Sequence, residues 1–516
     1  MKTKINVQEF IKESGADAIV DELKQKLVKD GRMPVFSDLI KRENETVYEY
    51  VNYVQEGGGV LGVALVGYTY ILEKLGIRFL RLAGTSAGAI NTIMLASVDK
   101  RNYTSADEKL ELKSEIILYE MLNYDFWKFV DGNWFTKLLI RLFINSKIGT
   151  KILEGIVVCS IVIPLLYALF SVIIKYVFPA EVFSTNVVQT SEALGFLTSL
   201  SLVILLVVIL LVTGFFTLFR ENNFGINPGI QFHNWIKEIL ERNHISTAAD
   251  LDKAMAANFV GLELRTERAP SNDQGDTTKI EPPYITIITS DITNQTKVEF
   301  PLMAKDYWKQ PSMVSPADFV RASMSIPVFF EPFVVRVKEE VKEKSTIQQS
   351  NIDVHRTKLS SYTVCFVDGG ILSNFPINVF HNPKISIARM PTFGVKLEDE
   401  DHIVAGTNKA IRKRFLSFLG SIFSTVRFYY DRDFLRRNEI YEKCIAHVDA
   451  AGFNWLNFGI DTETKLELFK RGAEAAKTFF LGGTVWIDGK EKPFEAYDWE
   501  KFKKEREQMV KTQYGK

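Results

Sequence analysis

The chain has 516 residues, with 63 basic and 63 acidic side chains, so its formal net charge is zero. Its 46% apolar content supports a large core and excludes a disordered or collagen-like chain. The zero net charge argues against nucleic-acid binding by bulk electrostatic attraction. The three cysteines are far apart, which excludes a disulfide framework and a thiolate zinc site; they are Cys159, Cys365 and Cys444.

Residues 1–35 are predicted to form a helical extension before the main domain. Met1–Arg32 mixes charged residues with apolar residues at helical spacing. It lacks the continuous apolar core of a secretory signal peptide, so we do not expect one here.

A glycine-rich loop is predicted between a strand, Thr46–Gln55, and an apolar helix, Val63–Leu75. The loop glycines are Gly57, Gly58, Gly59 and Gly62. Glycines at this position expose backbone N–H groups at the start of a helix, where a developing oxyanion is stabilised. A dinucleotide-binding loop is the alternative, but the next strand does not end in the acidic residue that such a site needs.

The next predicted strand, Ile77–Ala83, runs into Gly84–Gly88 (GTSAG) and then into an apolar helix, Ala89–Ser97. GxSxG between a strand and a helix is typical of a nucleophile elbow. The two glycines permit the sharp turn that exposes the Ser86 hydroxyl, and the helix start supplies the Ala87 amide for charge stabilisation. The alternative is a small-residue turn without catalytic function.

Two uncharged segments, Gly155–Ile174 and Ala193–Phe219, predict a transmembrane hairpin with spans at about 155–175 and 194–219. Twenty helical residues extend about 30 Å, the hydrocarbon thickness of a bilayer. The positive-inside rule places both outer flanks in the cytoplasm, because the flanks carry Lys137, Arg141, Lys147, Lys151 and Arg220. A pair of buried core helices is the alternative.

A nucleophilic serine needs a proton acceptor, and the sequence offers two candidates. Asp368 follows an apolar strand, Val364–Val367, and precedes Gly369 and Gly370. Ligand-facing residues gather at such strand ends in open α/β sheets. His447 lies where the histidine of an α/β-hydrolase triad would occur, but without the expected loop around it.

Two helices are predicted towards the end of the chain. Ala410–Arg437 is basic and amphipathic, so it is expected to lie on anionic lipid, to cover the active site or to pack on the core. Thr462–Phe480 has the spacing of an amphipathic helix. Residues 481–516 are predicted to be a charged C-terminal tail.

Together these motifs resemble the patatin-like phospholipase family. The glycine loop is similar to the family's oxyanion loop, GTSAG to its nucleophile elbow, and Asp368-Gly369-Gly370 to its DGA/DGG motif. Two further segments are similar to the family sequence: Arg321–Pro332 (RASMSIPVFFEP) and Pro391–Leu397 (PTFGVKL).

The resemblance implies an α/β fold, a three-layer sandwich with a central, mostly parallel sheet, formed by residues 36–480 and interrupted by the hairpin at 153–219. It implies a catalytic dyad in which Ser86 attacks a carboxylic ester and Asp368 accepts the proton. The amides near Gly58, Gly59 and Ala87 would hold the oxyanion. No metal and no cofactor are expected.

The expected substrate is a membrane phospholipid, with the catalytic domain and both termini on the cytoplasmic side of the bilayer and no nucleic-acid partner. One residue departs from the family pattern: Leu61 occupies a position where the family usually has lysine or arginine. Two alternatives remain open: an esterase or thioesterase with a Ser-His-Asp triad, and a membrane interaction protein with a relic site.

Overall fold

The computed structural model describes residues 5–103, 109–134, 137, 140, 155, 158–169, 185–221, 223–265, 280, 282–336, 363–383, 385, 388–398, 415–487 and 490–514. The chain forms two compact units. The smaller unit is 132–228, and the larger consists of 1–131 and 229–516. The insertion predicted at 153–219 lies within the smaller unit.

The labelled helices, in chain order, are α1 (Val7–Ser14), α2 (Ala16–Leu27), α3 (Gly62–Lys74), α4 (Ala87–Ser97), α5 (Lys113–Asn123), α6 (Thr185–Glu221), α7 (Ile230–Arg242), α8 (Ala248–Phe259), α9 (Pro316–Ser323), α10 (Phe415–Arg437), α11 (Thr462–Leu481) and α12 (Trp499–Tyr514). Residues 158–169 are also helical.

The strands are β1 (Leu39–Glu43), β2 (Thr46–Gln55), β3 (Ile77–Thr85), β4 (Gly225–Asn227), β5 (Leu262–Leu264), β6 (Ile285–Asp291), β7 (Thr296–Phe300), β8 (Val328–Phe330), β9 (Phe333–Arg336), β10 (Thr363–Asp368), β11 (Thr392–Glu398), β12 (Ile445–Asp449), β13 (Gly483–Ile487) and β14 (Lys490–Phe494).

The larger unit is built on a ten-stranded mixed sheet whose main path is β12-β11-β2-β3-β6-β10-β9. The five strands from β12 to β6 are parallel to one another, and β10 and β9 continue the sheet in antiparallel fashion. A central, largely parallel sheet in an α/β unit was expected from the sequence and is confirmed. Strand β2 is buried throughout its second half, as is typical of a strand covered on both faces.

Helices α3 and α11 cross at close range because each carries a glycine at the contact. A Cβ on Gly67 would lie 2.0 Å from the Phe469 carbonyl oxygen, and a Cβ on Gly472 would lie 1.9 Å from that of Ala64. Only glycine permits such an approach of two backbones. The crossing fixes α3, and the start of α3 in turn carries the glycine-rich loop.

The structure does not support the two predicted membrane spans. In the part of the chain that is described, no helix combines the length and the apolar character that a bilayer crossing requires. The first predicted span, 155–175, is described only at 155 and 158–169, and twelve helical residues extend about 18 Å. The second lies on α6, whose side chains are described in part.

The region predicted as a charged tail contains regular structure. Strands β13 and β14 form an antiparallel hairpin, and α12 buries Trp499, Phe502 and Val510. These three residues are spaced so that they lie on one face of α12, which is therefore apolar. The helix also contains many charged residues, and its composition alone therefore suggested an exposed tail. Residues 481–516 therefore pack as part of the larger unit.

The first residues of the helix predicted at 410–437 lie outside the described residues. The described part of that helix, α10, begins at Phe415.

Candidate active site

Ser86 lies in a sharp turn between β3 and α4. Its backbone has φ 53° and ψ −119°, a strained conformation for a residue with a side chain. A Cβ on Gly84 would lie 2.3 Å from the Gly88 carbonyl oxygen, so the turn can close only with glycine at this position. The local geometry is that of a nucleophile elbow.

Asp368 is the last residue of β10, and its carboxylate is only partly satisfied. Oδ1 accepts a hydrogen bond of 2.8 Å from the Gly370 amide, whereas Oδ2 is buried and has no hydrogen-bond partner among the described residues. The side chain is 8% exposed. A buried carboxylate oxygen with no donor is available to accept a proton.

Strand β6 sets Ser86 and Asp368 side by side, because it lies between β3 and β10. Thr85 on β3 pairs with Ile288, and Asp368 on β10 pairs with Thr289. The position of Asp368 is predicted from the sequence by the rule that ligand-facing residues gather at the carboxyl ends of parallel strands. That rule does not explain its position here, since β10 is antiparallel to β6. Its position follows instead from the register of these two strands.

Three backbone amides near Ser86 have no acceptor in the described part of the chain, and they belong to Gly58, Gly59 and Ala87. Ala87 is the first residue of α4, where helical amides have no partner within the helix. These are the amides that the sequence suggested for an oxyanion hole.

The two other glycines assigned to the oxyanion loop have occupied amides. The Gly57 amide donates to the Asn374 carbonyl at 3.0 Å, and the Gly62 amide donates to the Gly59 carbonyl. Gly57 and Gly62 therefore shape the loop and do not supply free donors. Leu61, at the position that departs from the family pattern, has a fully buried side chain.

The surroundings of Asp368 raise the pKa of its carboxyl group above the usual value. Burial raises the pKa of Asp368 from 3.8 to about 6, and the Gly370 amide, the Ser86 hydroxyl and the Arg427 cation oppose this rise. Although the Ser86 hydroxyl is close enough to lower this pKa, its hydrogen bond in this structure is made to Met324 Sδ at 3.1 Å. To donate to Asp368, the hydroxyl would have to turn away from the sulfur.

The loop after Asp368 is fastened by a carboxylate that the sequence analysis missed. Asp431 on α10 accepts hydrogen bonds from Ser373 Oγ at 2.7 Å and from the Phe375 amide at 2.8 Å. Burial raises the pKa of Asp431 to about 7, opposed first by the Ser373 hydroxyl. The sequence offered little signal for this role, because Asp431 is one of two aspartates, with Asp433, among the arginines of α10.

Asn374 joins the two loops of the site. Its side-chain amide donates to the Gly57 carbonyl at 3.1 Å, while its backbone carbonyl accepts from the Gly57 amide. The glycine loop and the loop after Asp368 are therefore held in one arrangement. This residue was not singled out from the sequence.

His447 lies away from Ser86. It is on β12, and strands β11 and β2 separate β12 from β3; three strand spacings amount to about 14 Å. Its Nδ1 forms a 2.7 Å hydrogen bond with Glu398. The structure therefore does not bring together a Ser-His-Asp triad that uses His447.

A narrow apolar slot of about 20 Å³ adjoins the site. Ala87, Gly59 and Met324 form its wall near the nucleophile. Its remaining lining is apolar and includes Val63, Ile90, Met121, Phe129, Phe232 and Phe458. Such a lining suits a hydrocarbon chain, and the slot would have to widen to admit one.

The described residues contain no cluster of three or more His, Cys, Asp or Glu side chains that could hold a metal ion.

Comparisons with known proteins match the sequence of this chain to a family model. The family model for patatin-like phospholipases matches residues 54–190 and 198–381, which include Ser86 and Asp368. The uncharacterized protein YqhO of Bacillus subtilis (strain 168) is 24% identical over 430 residues, which cover 83% of this chain and 98% of YqhO. The crystal structure of VipD from Legionella pneumophila aligns over 92% of this chain and 74% of VipD, with 14% identity and a TM-score of 0.33.

Proposed function

The chain belongs to the patatin-like phospholipase family, and we propose that it is a lipid acyl hydrolase in which Ser86 is the nucleophile and Asp368 the proton acceptor. One observation carries the proposal: the strained Ser86 lies beside a buried carboxylate oxygen without a donor, at a turn lined by unpaired amides. Nothing else in the described residues unites a nucleophile, a base and oxyanion donors in this way.

In the first half of the reaction, Ser86 Oγ attacks the carbonyl carbon of the ester while Asp368 Oδ2 takes the hydroxyl proton. The negative charge moves to the carbonyl oxygen, where the amides of Gly58, Gly59 and Ala87 can donate to it. Collapse of this intermediate breaks the ester bond, and protonated Asp368 returns its proton to the leaving alcohol. The acyl group is then bound to Ser86.

In the second half, Asp368 takes a proton from a water molecule that attacks the acyl-enzyme. The same amides stabilise the second oxyanion, and the proton returns to Ser86 Oγ as the fatty acid leaves. Removing one such donor from an oxyanion hole costs about 100- to 1000-fold in rate. The buried Leu61 does not remove any of the three backbone donors.

The apolar slot beside Ala87 supports an acyl chain as the group bound to Ser86. Ser86 is 4% exposed and the slot is narrow, so substrate entry requires its lining side chains to move. A phospholipid delivers such a chain directly from the bilayer. We therefore propose membrane phospholipid as the substrate class.

Covalent labelling tests the nucleophile. A fluorophosphonate probe is expected to modify Ser86 in the wild type and to leave Ser86→Ala unlabelled. Ser97→Ala is a matched control, since Ser97 is a buried serine at the far end of α4 whose hydroxyl donates to the Met94 carbonyl. Labelling of Ser86→Ala at the wild-type level would reject Ser86 as the nucleophile.

We also propose that the smaller unit attaches the chain to a lipid bilayer. Its helices expose apolar side chains that include Leu165, Leu166, Phe196, Val203, Leu206 and Leu210. Apolar surface on this scale is characteristic of a protein or membrane contact. The basic residues that flank the predicted hairpin favour a bilayer, and they favour the cytoplasmic side for the larger unit.

Flotation with liposomes tests this attachment. The wild type is expected to rise with the vesicles, and a variant with Leu206→Glu and Leu210→Glu is expected to remain at the bottom while keeping soluble-ester activity. Protease treatment of intact cells, compared with lysed cells, tests the side of the membrane. Cleavage of the larger unit in intact cells would contradict the cytoplasmic placement.

A further inference from the structure

A second cavity lies apart from the nucleophile. It is lined in part by Asn52 and Arg81, which precede the ends of β2 and β3, and by Thr392 at the start of β11. The active site instead follows the carboxyl ends of β2 and β3. The cavity has a volume of about 320 Å³, which is within the range of small-molecule sites.

The lining of this cavity is positively charged. Among the described residues that line it are three arginines, Arg81, Arg389 and Arg506, and no carboxylate. The Asp38 carboxylate pairs with Arg389 at 3.6 Å, but it also pairs with Lys503 at 3.2 Å. Lys503 also pairs with Glu500 at 3.2 Å, so Asp38 offsets at most one of the three arginines, and the charges of the described residues leave the cavity wall with an excess of positive charge.

Arg506 is held rigidly at the cavity and is 4% exposed. Its terminal nitrogens donate to the Tyr441 hydroxyl at 3.0 Å and to the Asn382 and Ile385 carbonyls at 3.0 and 3.1 Å. Its Nε is buried and has no hydrogen-bond partner in the described part of the chain. A buried N–H group of a cation without an acceptor is costly, and an oxyanion in the cavity would supply the acceptor.

Arg81 reaches the same cavity from β3. Its Nε donates to Asn52 Oδ1 at 2.7 Å, and its guanidinium lies 5.7 Å from the Tyr284 ring centre and 5.5 Å from that of Phe380. Two aromatic rings and one amide hold the cation in a fixed orientation. A guanidinium fixed in this way is well suited to a carboxylate or a phosphate.

The rest of the lining is largely apolar. It includes Leu39, Leu80, Leu264, Val379, Ile385 and Met390. His381 adds little positive charge near neutral pH, because burial and the nearby Arg506 lower its pKa to about 4. The cavity therefore joins an apolar surface to positive charge supplied by arginines.

The geometry points to a binding site for an amphipathic oxyanion, a single apolar chain that ends in a phosphate or a carboxylate. The arginines bind the charged end and the apolar wall holds the chain. The site is separate from the catalytic serine, so its occupancy does not depend on the activity proposed for Ser86. Phosphate and carboxylate ends share this chemistry and are distinguished by the probe.

Calorimetric titration of the full chain carrying Ser86→Ala tests the site. Dodecyl phosphate and laurate, used below their micelle concentrations, are expected to bind, and the tighter of the two identifies the oxyanion. Adding Arg81→Gln or Arg506→Gln is expected to weaken binding by about 10- to 100-fold. Arg471→Gln is the control, since Arg471 bonds Glu467 and does not line the cavity.

Arg506→Gln removes structural hydrogen bonds, so a thermal melt accompanies each variant, and Arg81→Gln provides the second test if Arg506→Gln does not fold. Unchanged affinity in Arg81→Gln would overturn the proposal. Equal affinity for dodecanol would show that charge is not recognised, and equal affinity for inorganic phosphate would show that the apolar wall is not used. Either result would also overturn it.

Discussion

Ser86 and Asp368 lie on opposite sides of a single strand, β6, and at the same height along it. The residue before Ser86 pairs with Ile288 and Asp368 pairs with Thr289. Side chains of β6 reinforce this register, since Thr289 Oγ1 donates to the Val367 carbonyl at 2.9 Å and Ser290 Oγ to the Asp368 carbonyl at 3.0 Å. One strand thus brings together two residues that are far apart in the sequence.

The proposed dyad predicts unequal effects of three substitutions. Ser86→Ala is expected to reduce hydrolysis of a soluble ester to background, and Asp368→Asn to reduce kcat by about 10⁴-fold, because the proton acceptor is lost. His447→Gln is expected to retain activity, since this residue bonds Glu398 on the neighbouring strand β11 and two strands separate β12 from β3. Steady-state kinetics on the three variants measure these effects.

Melting curves provide the control for these variants, because a loss of activity can be assigned to catalysis only if the variant is folded. Loss of turnover in a folded His447→Gln variant would support a triad and contradict the dyad.

The raised pKa of Asp368 predicts the pH profile. The carboxylate can accept a proton only when ionised, so kcat/KM is expected to fall about tenfold for each pH unit below about 6 and to level off above it. A profile measured from pH 5 to pH 8 with a soluble ester checks this. A flat profile between pH 5 and pH 7 would exclude Asp368 as the base.

Asp431 is expected to lower the stability of the protein as the pH rises, whereas a surface carboxylate in an ion pair raises stability as the pH rises. Because its pKa in the folded protein, about 7, exceeds its unfolded value of 3.8, its contribution is complete below about pH 4 and is lost as the pH rises through 7. Asp431→Asn mimics the protonated form. We expect it to be more stable than the wild type by about 1 to 2 kcal/mol at pH 5 and by up to about 4 kcal/mol at pH 8.

Denaturant unfolding of the wild type and Asp431→Asn at pH 5 and pH 8 measures this difference. A variant that is less stable than the wild type at pH 8 would contradict a carboxylate destabilised by burial.

Alanine variants at Gly59 and Gly452 provide a matched comparison that tests the role of the oxyanion loop. Both have positive φ, 53° and 87°, but a Cβ on Gly59 would lie 2.2 Å from the Trp455 carbonyl oxygen, whereas one on Gly452 meets nothing within 4 Å. Gly452→Ala is expected to lose about 1 kcal/mol of stability from left-handed backbone, and Gly59→Ala is expected to lose more, because its Cβ also displaces the Trp455 carbonyl. Only Gly59→Ala is expected to lose about 100- to 1000-fold in kcat, since its oxyanion amides move.

Kinetics and unfolding of both glycine variants separate strain from catalysis. Equal losses of kcat in the two would mean that the position of the Gly59 amide is unimportant for turnover.

The central strands and the elbow could be predicted from sequence because local signals agree there. The strand Thr46–Gln55 was predicted with the bounds that β2 has, and GTSAG marks a turn that few other residues could form. The antiparallel direction of β10 could not be predicted, since it depends on pairing with β6 and β9 across long stretches of chain. Asp368 was therefore singled out from its glycine turn, without the register that positions it.

Two residues with long-range roles escaped the sequence analysis. Asp431 lies in a basic amphipathic segment, and only the fold brings it to Ser373 and Phe375. Arg506 lies in a segment whose charge suggested a tail, although Trp499, Phe502 and Val510 have the spacing of a buried helical face. Neither role could be inferred from the local sequence, because the residues that Asp431 and Arg506 contact are remote from them in the chain.

Lipid mass spectrometry of phospholipid membranes incubated with the wild type and with Ser86→Ala tests the central claim most directly. The account predicts that the wild type releases free fatty acids and lysophospholipids in equal amounts, and that Ser86→Ala releases neither. Identical lipid profiles for the two proteins would contradict the assignment of a Ser86-dependent lipid acyl hydrolase.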